Sequence, residues 1–335
     1  MSNYLVTGVA GFVGMHCALK LLNRGDEVTG YDNLSDYYEI SLKENRLVEL
    51  KKFPNFKFIK ADIADRNVLN NLFSLNNFDG VIHLAAQAGV RYSVENASVY
   101  GDTNLVGFLN ILECCRHYKI KHLVFASSSS VYGGNKKMPY VESDAVDHPI
   151  SLYAATKRSN ELMAHSYSHL YGMPITGLRF FTAYGPWGRP DQSLFLFVKA
   201  ILSGEEIKVF NDGKMCRDFT YIDDISEGVV RVLDKPASSD PDFDPLKPIP
   251  QSSHAPFRIF NIGNSTPVQL IDFISAIEIA LGKKAIKKLM PLQDGDVIDT
   301  FADTNALKNY IGFKPCTSID VGVQNFVNWY KAYYK

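Results

Sequence analysis

Residues 3–32 constrain this fold more than any other stretch. Asn3–Thr7 is a short apolar run that leads directly into Gly8-Val9-Ala10-Gly11-Phe12-Val13-Gly14. A helical pattern follows, with Cys17, Ala18, Leu21 and Leu22 on one face. A second apolar run, Glu27–Tyr31, then ends in Asp32. Strand, glycine turn, helix, strand and acid, in that order, make a dinucleotide-binding unit. The glycines allow a tight turn, let backbone approach a pyrophosphate and bring the helix onto the strand. The helix N-terminus adds free N–H groups and the positive end of its dipole. Asp32 stands 18 residues past Gly14 (32 − 14), where an acid binds both ribose hydroxyls. An acid there repels a 2′-phosphate, so the pattern favours NAD over NADP.

The alternation continues. Phe56–Lys60 reads as a strand ending at Asp62-Ile63, and Gly80–Leu84 as one ending at Ala85-Ala86-Gln87-Ala88-Gly89. Small residues at that end let a cofactor lie against backbone. Asp102–His117 reads as a helix with Asn104 in its first turn. His122–Ala126 is a strand followed by four serines, Ser127 to Ser130, and Ile175–Arg179 is another. The pattern predicts an α/β fold with a doubly wound parallel (Rossmann) sheet and helices on both faces. Ligands then bind at the carboxyl ends of the strands, where Gly8, Asp32, Asp62, Ala85 and Ser128 all fall.

After Arg179 the pattern loosens. Phe181–Pro190 is a Gly/Pro-rich loop. Ser193–Ser203 is helical, Ile207–Phe210 reads as a strand, a turn at Gly213 leads to Arg217-Asp218-Phe219-Thr220-Tyr221, Asp223–Leu233 reads as a helix and Arg258–Ile262 as a strand. Lys235–Pro256 reads as a surface loop, and helices near Val268–Leu281 and Ser318–Tyr333 finish the chain. With 335 residues there is room for two lobes. Residues 1–179 form the expected cofactor domain, with 218–263 returning to it. Residues 180–217 and 264–335 form a smaller mixed α/β substrate lobe.

One pair of residues suggests chemistry. Ser151 opens a helical pattern that runs to Tyr171, and within it Tyr153 and Lys157 stand four apart, on one face. A tyrosine's ordinary pKa of about 10 is too high for a base at neutral pH. A nearby cation favours the phenolate, so Lys157 is expected to act on Tyr153. A serine hydroxyl at the strand end can hold the same substrate oxygen. The bland alternative is packing plus a solvated helix face.

Composition narrows the partners. A net charge of −1 gives no reason to expect nucleic acid or an anionic membrane. No basic segment followed by a long apolar run marks the start, and no run reaches membrane-spanning length. The cysteines (Cys17, Cys114, Cys115, Cys216, Cys316) form no Cys-x-x-Cys pair and have no His at zinc spacing. Reduced thiols in a cytoplasmic protein, and no metal site, are the expectation.

With these residues in view, the chain resembles the extended short-chain dehydrogenase/reductase family over nearly its whole length. The resemblance rests on the Gly8/Gly11/Gly14 turn, Asp32-Asn33-Leu34, Asp62-Ile63, Leu84-Ala85-Ala86, Asn104, Ser127 to Gly133, Tyr153/Lys157 and Arg217-Asp218. Within the family it looks like a nucleotide-sugar 4-epimerase, nearest the UDP-glucuronate branch from Arg179-Phe180-Phe181-Thr182 through Tyr184–Asp191. The resemblance implies bound NAD, Ser128 as catalytic serine, Tyr153 as base and Lys157 as its partner on the nicotinamide ribose. It implies a cofactor site of Gly8, Gly11, Phe12, Val13, Gly14, Asp32, Asn33, Asp62, Ile63, Leu84, Ala85, Ala86, Ala88, Asn104 and Phe181. Ser129, Ser130, Thr182 and Arg189 would face the sugar and Arg217 the diphosphate. Ser193, Leu194, Val209, Phe210, Gln293 and Asp296 would line the nucleotide half. A homodimer through paired helices is the family expectation.

The galactose-type epimerases usually carry Asn at the place of Thr182 and Arg at that of Gln293. The sugar dehydratases typically carry an Asp-Glu pair where this chain has Ser129 and Ser130. Epimerisation of UDP-glucuronate to UDP-galacturonate through a transient 4-keto sugar is therefore expected. The alternatives are a UDP-glucose or UDP-N-acetylglucosamine 4-epimerase, a UDP-glucuronate decarboxylase, or a non-catalytic NAD sensor on the same fold. Locally, Arg189 reads equally as a loop cap, Trp187 as core filler and Gln293 as a turn residue.

Overall fold

A computed structural model describes residues 1–292 and 299–334. Seven parallel strands form the central sheet: β1 (Asn3–Thr7), β2 (Glu27–Asp32), β3 (Phe56–Lys60), β4 (Gly80–His83), β5 (Leu123–Ser128), β6 (Ile175–Phe180) and β10 (Phe257–Ile262). Their order is β10-β6-β5-β4-β1-β2-β3. Alternate residues of a strand face opposite sides. Val6, Ile82, Val124 and Leu178 pack into one apolar layer, and Leu5, Val81, Leu123, Phe125 and Ile175 into the other. Burial on both faces is why these strands read as continuous apolar runs.

The remaining strands are β7 (Thr182–Tyr184), β8 (Glu206–Phe210), β9 (Cys216–Tyr221), β11 (Pro267–Gln269), β12 (Ile286–Met290) and β13 (Asp299–Thr300). β7, β11 and β13 all pair with β9, and β12 pairs with β8. Helices Ser193–Ser203, Leu270–Leu281 and Ile319–Tyr333 pack around them. No helix among the described residues is long and apolar enough to cross a membrane.

Several boundaries differ from the sequence reading. The 181–190 loop contains the short strand β7, and Val268 belongs to β11 rather than to the helix that begins at Leu270. Both strands exist because β9 offers them a partner, not because of their own composition. Ser127 and Ser128 continue β5. The expected helix Asp102–His117 is a π-helical stretch, Gly101–Gly107, followed by an α-helix, Phe108–His117.

Candidate active site

The strand order reverses where β1 lies between β2 and β4, so a crevice opens at their carboxyl ends. Gly8 enters it at φ +70° and donates its N–H to Tyr31 O (2.8 Å). A Cβ on Gly8 would stand 2.7 Å from Ala85 N, and one on Gly14 would stand 2.1 Å from Gly8 O. Only glycine permits this turn. Asp32 closes it, accepting from Leu34 N (2.9 Å) and Ala10 N (3.1 Å). Burial pushes the Asp32 carboxyl above its ordinary pKa; those two bonds and the charges of Lys43 and Arg46 pull it back. Asn33 donates to Asp62 (2.8 Å).

A cavity of about 570 Å³ runs from this turn along the strand ends. Gly8, Gly11, Phe12, Val13, Gly14, Asp32, Asn33, Asp62, Ile63, Leu84, Ala85, Ala86 and Ala88 line one part of it. Ser128, Ser129, Ser130, Tyr153, Lys157, Phe181, Thr182 and Arg189 line the other. The structure thus brings nucleotide-shaped and reactive groups into one space.

Local structure places each reactive group. Ser151 caps the helix Leu152–Tyr171 by accepting from Ala154 N (3.1 Å). This fixes where Tyr153 and Lys157 enter the cavity. Ser128 ends β5, and its Oγ accepts from Ser130 N (3.1 Å), starting the 3₁₀ turn Ser129–Tyr132. Burial pushes the Tyr153 phenol above its ordinary pKa, and a hydrogen bond with Ser128 and the charge of Arg189 act against that. Lys157 lines the same cavity. Its ammonium donates to Ala126 O (3.0 Å), and burial lowers its pKa to about 8. Arg189 forms a two-point ion pair with Asp191, Nε to Oδ1 at 3.0 Å, and Tyr37 donates to the same carboxylate (3.2 Å).

Other expected residues lie elsewhere. Asn104 is buried behind the cavity wall, accepting from Gln87 N (2.8 Å) and donating to Gln87 O and Thr156 Oγ1. It ties the β4 end to the Tyr153 helix, because its amide can pair with an open backbone segment on both edges. Val209 is fully buried in the core, since strand alternation turns it inward. Ser193 and Leu194 line a small adjoining pocket that shares Thr182 and Arg189 with the large one. Phe210 lies under the Arg91 guanidinium (5.6 Å). Arg217 sits on β9 and donates to Cys216 O (3.0 Å). Gln293 and Asp296 lie outside the described residues.

Sequence reasoning missed Tyr37, Tyr38, Lys43 and Gln192, which also line the cavity. Tyr37 and Tyr38 follow Asp32 in a stretch with no strand or helix until Ile40, and Lys43 stands in the first turn of the helix Ile40–Leu50. Lys43 was not anticipated; it is buried, donates to Ser35 O (2.6 Å) and lies over the Tyr38 ring.

Comparison with known proteins agrees with this geometry. Residues 4–263 match the model of the NAD dependent epimerase/dehydratase family. A Rhizobium meliloti protein described as a probable UDP-glucuronate 4-epimerase is 49% identical, over 99% of this chain and 98% of its own. UDP-glucuronate 4-epimerase 2 of Arabidopsis thaliana is 46% identical, over 99% of this chain and 76% of its own. The crystal structure of UDP-glucuronic acid 4-epimerase from Bacillus cereus, in complex with UDP-glucuronic acid and NAD, superposes with a TM-score of 0.87. It is 32% identical, over 98% of this chain and 99% of that one.

Proposed function

The chain belongs to the NAD dependent epimerase/dehydratase family, and from that premise we propose that it interconverts UDP-glucuronate and UDP-galacturonate. It is an NAD-dependent UDP-sugar 4-epimerase. The observation that carries this reading is the single cavity that Gly8–Gly14 and Asp32 share with Ser128, Tyr153, Lys157, Thr182 and Arg189. The glycine turn and the Asp32 carboxylate fit NAD, and the chemistry NAD supplies there is reversible hydride acceptance at C4 of the sugar.

The chain's own residues do the rest. Tyr153 takes the C4 hydroxyl proton and returns it, and the Ser128 hydroxyl holds the same oxygen. The Arg189 charge and the Ser128 hydrogen bond favour the phenolate. Lys157, anchored on Ala126 O, keeps a cation beside the cofactor's ribose. Arg217 holds the diphosphate as a planar two-donor fork. We assign cofactor binding to residues 1–179 with 218–263, and substrate binding to 180–217 and 264–335.

The sugar's carboxylate sets the main difficulty. A 4-keto glucuronate is a β-keto acid, and it loses carbon dioxide when the C5–carboxylate bond stands perpendicular to the ketone plane. The site must hold the carboxylate away from that orientation. Ser129, Ser130, Thr182 and Arg189 are the donors that do so. Incubation with UDP-glucuronate, followed by NMR, tests the reading: UDP-galacturonate is expected with little pentose. Faster turnover of UDP-glucose or UDP-N-acetylglucosamine would overturn the carboxylate assignment, and a pentose product would make the chain a decarboxylase.

We further assign a homodimer. Val106 and Leu109, in the segment 101–117, and Leu162, Leu170 and Tyr171, on the helix packed beside it, are exposed apolar side chains. Sedimentation at micromolar concentration checks this. The buried free thiols Cys17, Cys114, Cys115 and Cys216 support a reducing, cytoplasmic setting.

A further inference from the structure

Arg46 is a fully buried cation whose partners join two functional loops. It stands on the helix Ile40–Leu50, 0% exposed. One terminal nitrogen, Nη1, donates to Ala10 O (2.8 Å) and Tyr38 Oη (2.7 Å). The other, Nη2, donates to Trp187 O (2.7 Å) and, more weakly, to Gly188 O (3.5 Å). Its Nε is buried without a partner. Among the described residues no carboxylate forms an ion pair with it. A buried, unpaired charge is costly, so the bonds it makes to backbone matter.

Those bonds fall on consequential peptides. Ala10 lies in the glycine turn, and its N–H is already held by Asp32 (3.1 Å). Trp187 and Gly188 immediately precede Arg189. The turn that contains them is strained: Gly188 N donates to Gly185 O (3.0 Å), Pro186 is second and Trp187 third with φ +63°. That third position usually takes Gly or Asn, and a bulky residue there is an outlier. The Trp187 ring is braced by Trp329 (centroids 5.4 Å) and Tyr333 (5.2 Å). Its carbonyl is braced by Arg46.

We propose that Arg46 is a positioning residue that locks the Gly185–Gly188 turn, and with it Arg189, in register with the cofactor turn. A continuous path, Asp32 to Ala10 to Arg46 to Trp187, then joins the ribose acid to the group that faces the sugar. This rests on the reading of Arg189 as a sugar-facing group.

The test uses the full-length holoenzyme with Arg46→Met and Arg46→Lys. Bound NAD and calorimetric UDP affinity should stay within about threefold of wild type, as should KM for UDP-glucuronate. The kcat of Arg46→Met should fall about 10- to 100-fold, since a misplacement of about 1 Å can cost that much. Arg46→Lys should recover part of it, because an ammonium still offers three donors to the same carbonyls. The chain has 2 tryptophans, Trp187 and Trp329, both at this turn, so acrylamide quenching reads its looseness without any substrate. Quenching should rise at least about twofold in Arg46→Met and less in Arg46→Lys. Unchanged kcat and quenching would overturn the proposal, and so would a loss of NAD and melting temperature that lysine does not rescue. If Arg46→Met does not fold, Arg46→Gln takes its place with the same expected drop and rise, because its amide reaches only one of the two loops. A wild type inert on UDP-glucuronate would sink the substrate assignment while the quenching arm still decides the role of Arg46.

Discussion

Lys157→Met should stabilise the cofactor-stripped protein while removing turnover. The ammonium is buried, and burial lowers its pKa from 10.5 to about 8. At about 1.4 kcal/mol per pKa step, keeping it charged at neutral pH costs about 3 to 4 kcal/mol. The lost hydrogen bond to Ala126 O returns about 1 to 2 kcal/mol of that, leaving a net gain of about 2 kcal/mol. Unfolding entropy near 2.1 cal/mol/K per residue gives about 0.7 kcal/mol per degree for 335 residues, hence a rise of about 3 °C. The pH dependence has a definite sign. Below pH 8 both folded and unfolded chains carry the proton, and the folded state bears the full penalty. Between 8 and 10.5 the unfolded chain holds more protons, so wild-type stability climbs with pH. By pH 9.5 the penalty falls to about 1.4 kcal/mol, and the gap between the two proteins closes. Thermal unfolding at pH 7 and 9.5 measures it. A variant less stable than wild type at pH 7, or a gap that does not narrow with pH, would refute the reasoning.

Tyr153→Phe should cut turnover at least about 100-fold, the lower end of general-base catalysis, with NAD still bound; greater residual activity would take the phenol out of the base role. Asp32→Ala should weaken NAD and relax discrimination against NADP, because the hydroxyl acceptor and the repelling charge go while Lys43 and Arg46 stay nearby; unchanged NAD occupancy would count against that assignment. Arg189→Ala, and more mildly Thr182→Ala, should lose epimerisation and release a 4-keto-pentose with NADH accumulating, followed by NMR and absorbance. Arg189→Ala should also move the rising limb of the pH–rate profile upward, since its charge acts to lower the Tyr153 pKa.

The sheet was legible because its strands are buried on both faces, and five of the seven end at residues whose size or charge is unusual for a strand end. Gly8, Asp32, Asp62, Ala85 and Ser128 could be placed by that rule alone. What the rule cannot reach is chain that takes its shape from a partner. β7, β11 and β13 are two or three residues long and exist because β9 pairs with them. Tyr37 and Tyr38 sit in irregular backbone after Asp32, where no period marks an inward face. The resemblance places Asn104 among the cofactor residues, while its amide is committed to Gln87 and Thr156. Arg46 did leave a signal. It shares a helix face with Leu42 and Leu50, four residues either side, and all three are buried. A charged residue in the middle of an apolar stripe is rarely there for solubility.

The four serines show how one residue type divides into different tasks by position alone. Ser127 and Ser128 are successive in β5, so their side chains point to opposite faces. The Ser127 hydroxyl donates to Glu161 Oε1 (2.6 Å), and Arg179 grips the same carboxylate from β6 at 2.9 and 3.0 Å. Burial would raise the Glu161 pKa, but Arg179 and Ser127 hold it below the usual range. Arg179 continues to Tyr132 Oη (3.0 Å), which donates to Asn261 on β10 (2.7 Å). The ends of three adjacent strands are therefore joined beneath the site by a satisfied ionic network, in contrast to Arg46, whose hydrogen bonds go to backbone carbonyls and Tyr38. Ser128, one residue on, is left to face the cavity, and its Oγ starts the turn that presents Ser129 and Ser130. An insertion of a single residue between Ser127 and Ser128 would turn Ser128 to the other face. It would send the reactive hydroxyl toward Glu161, so the spacing from strand to serine matters as much as the serine.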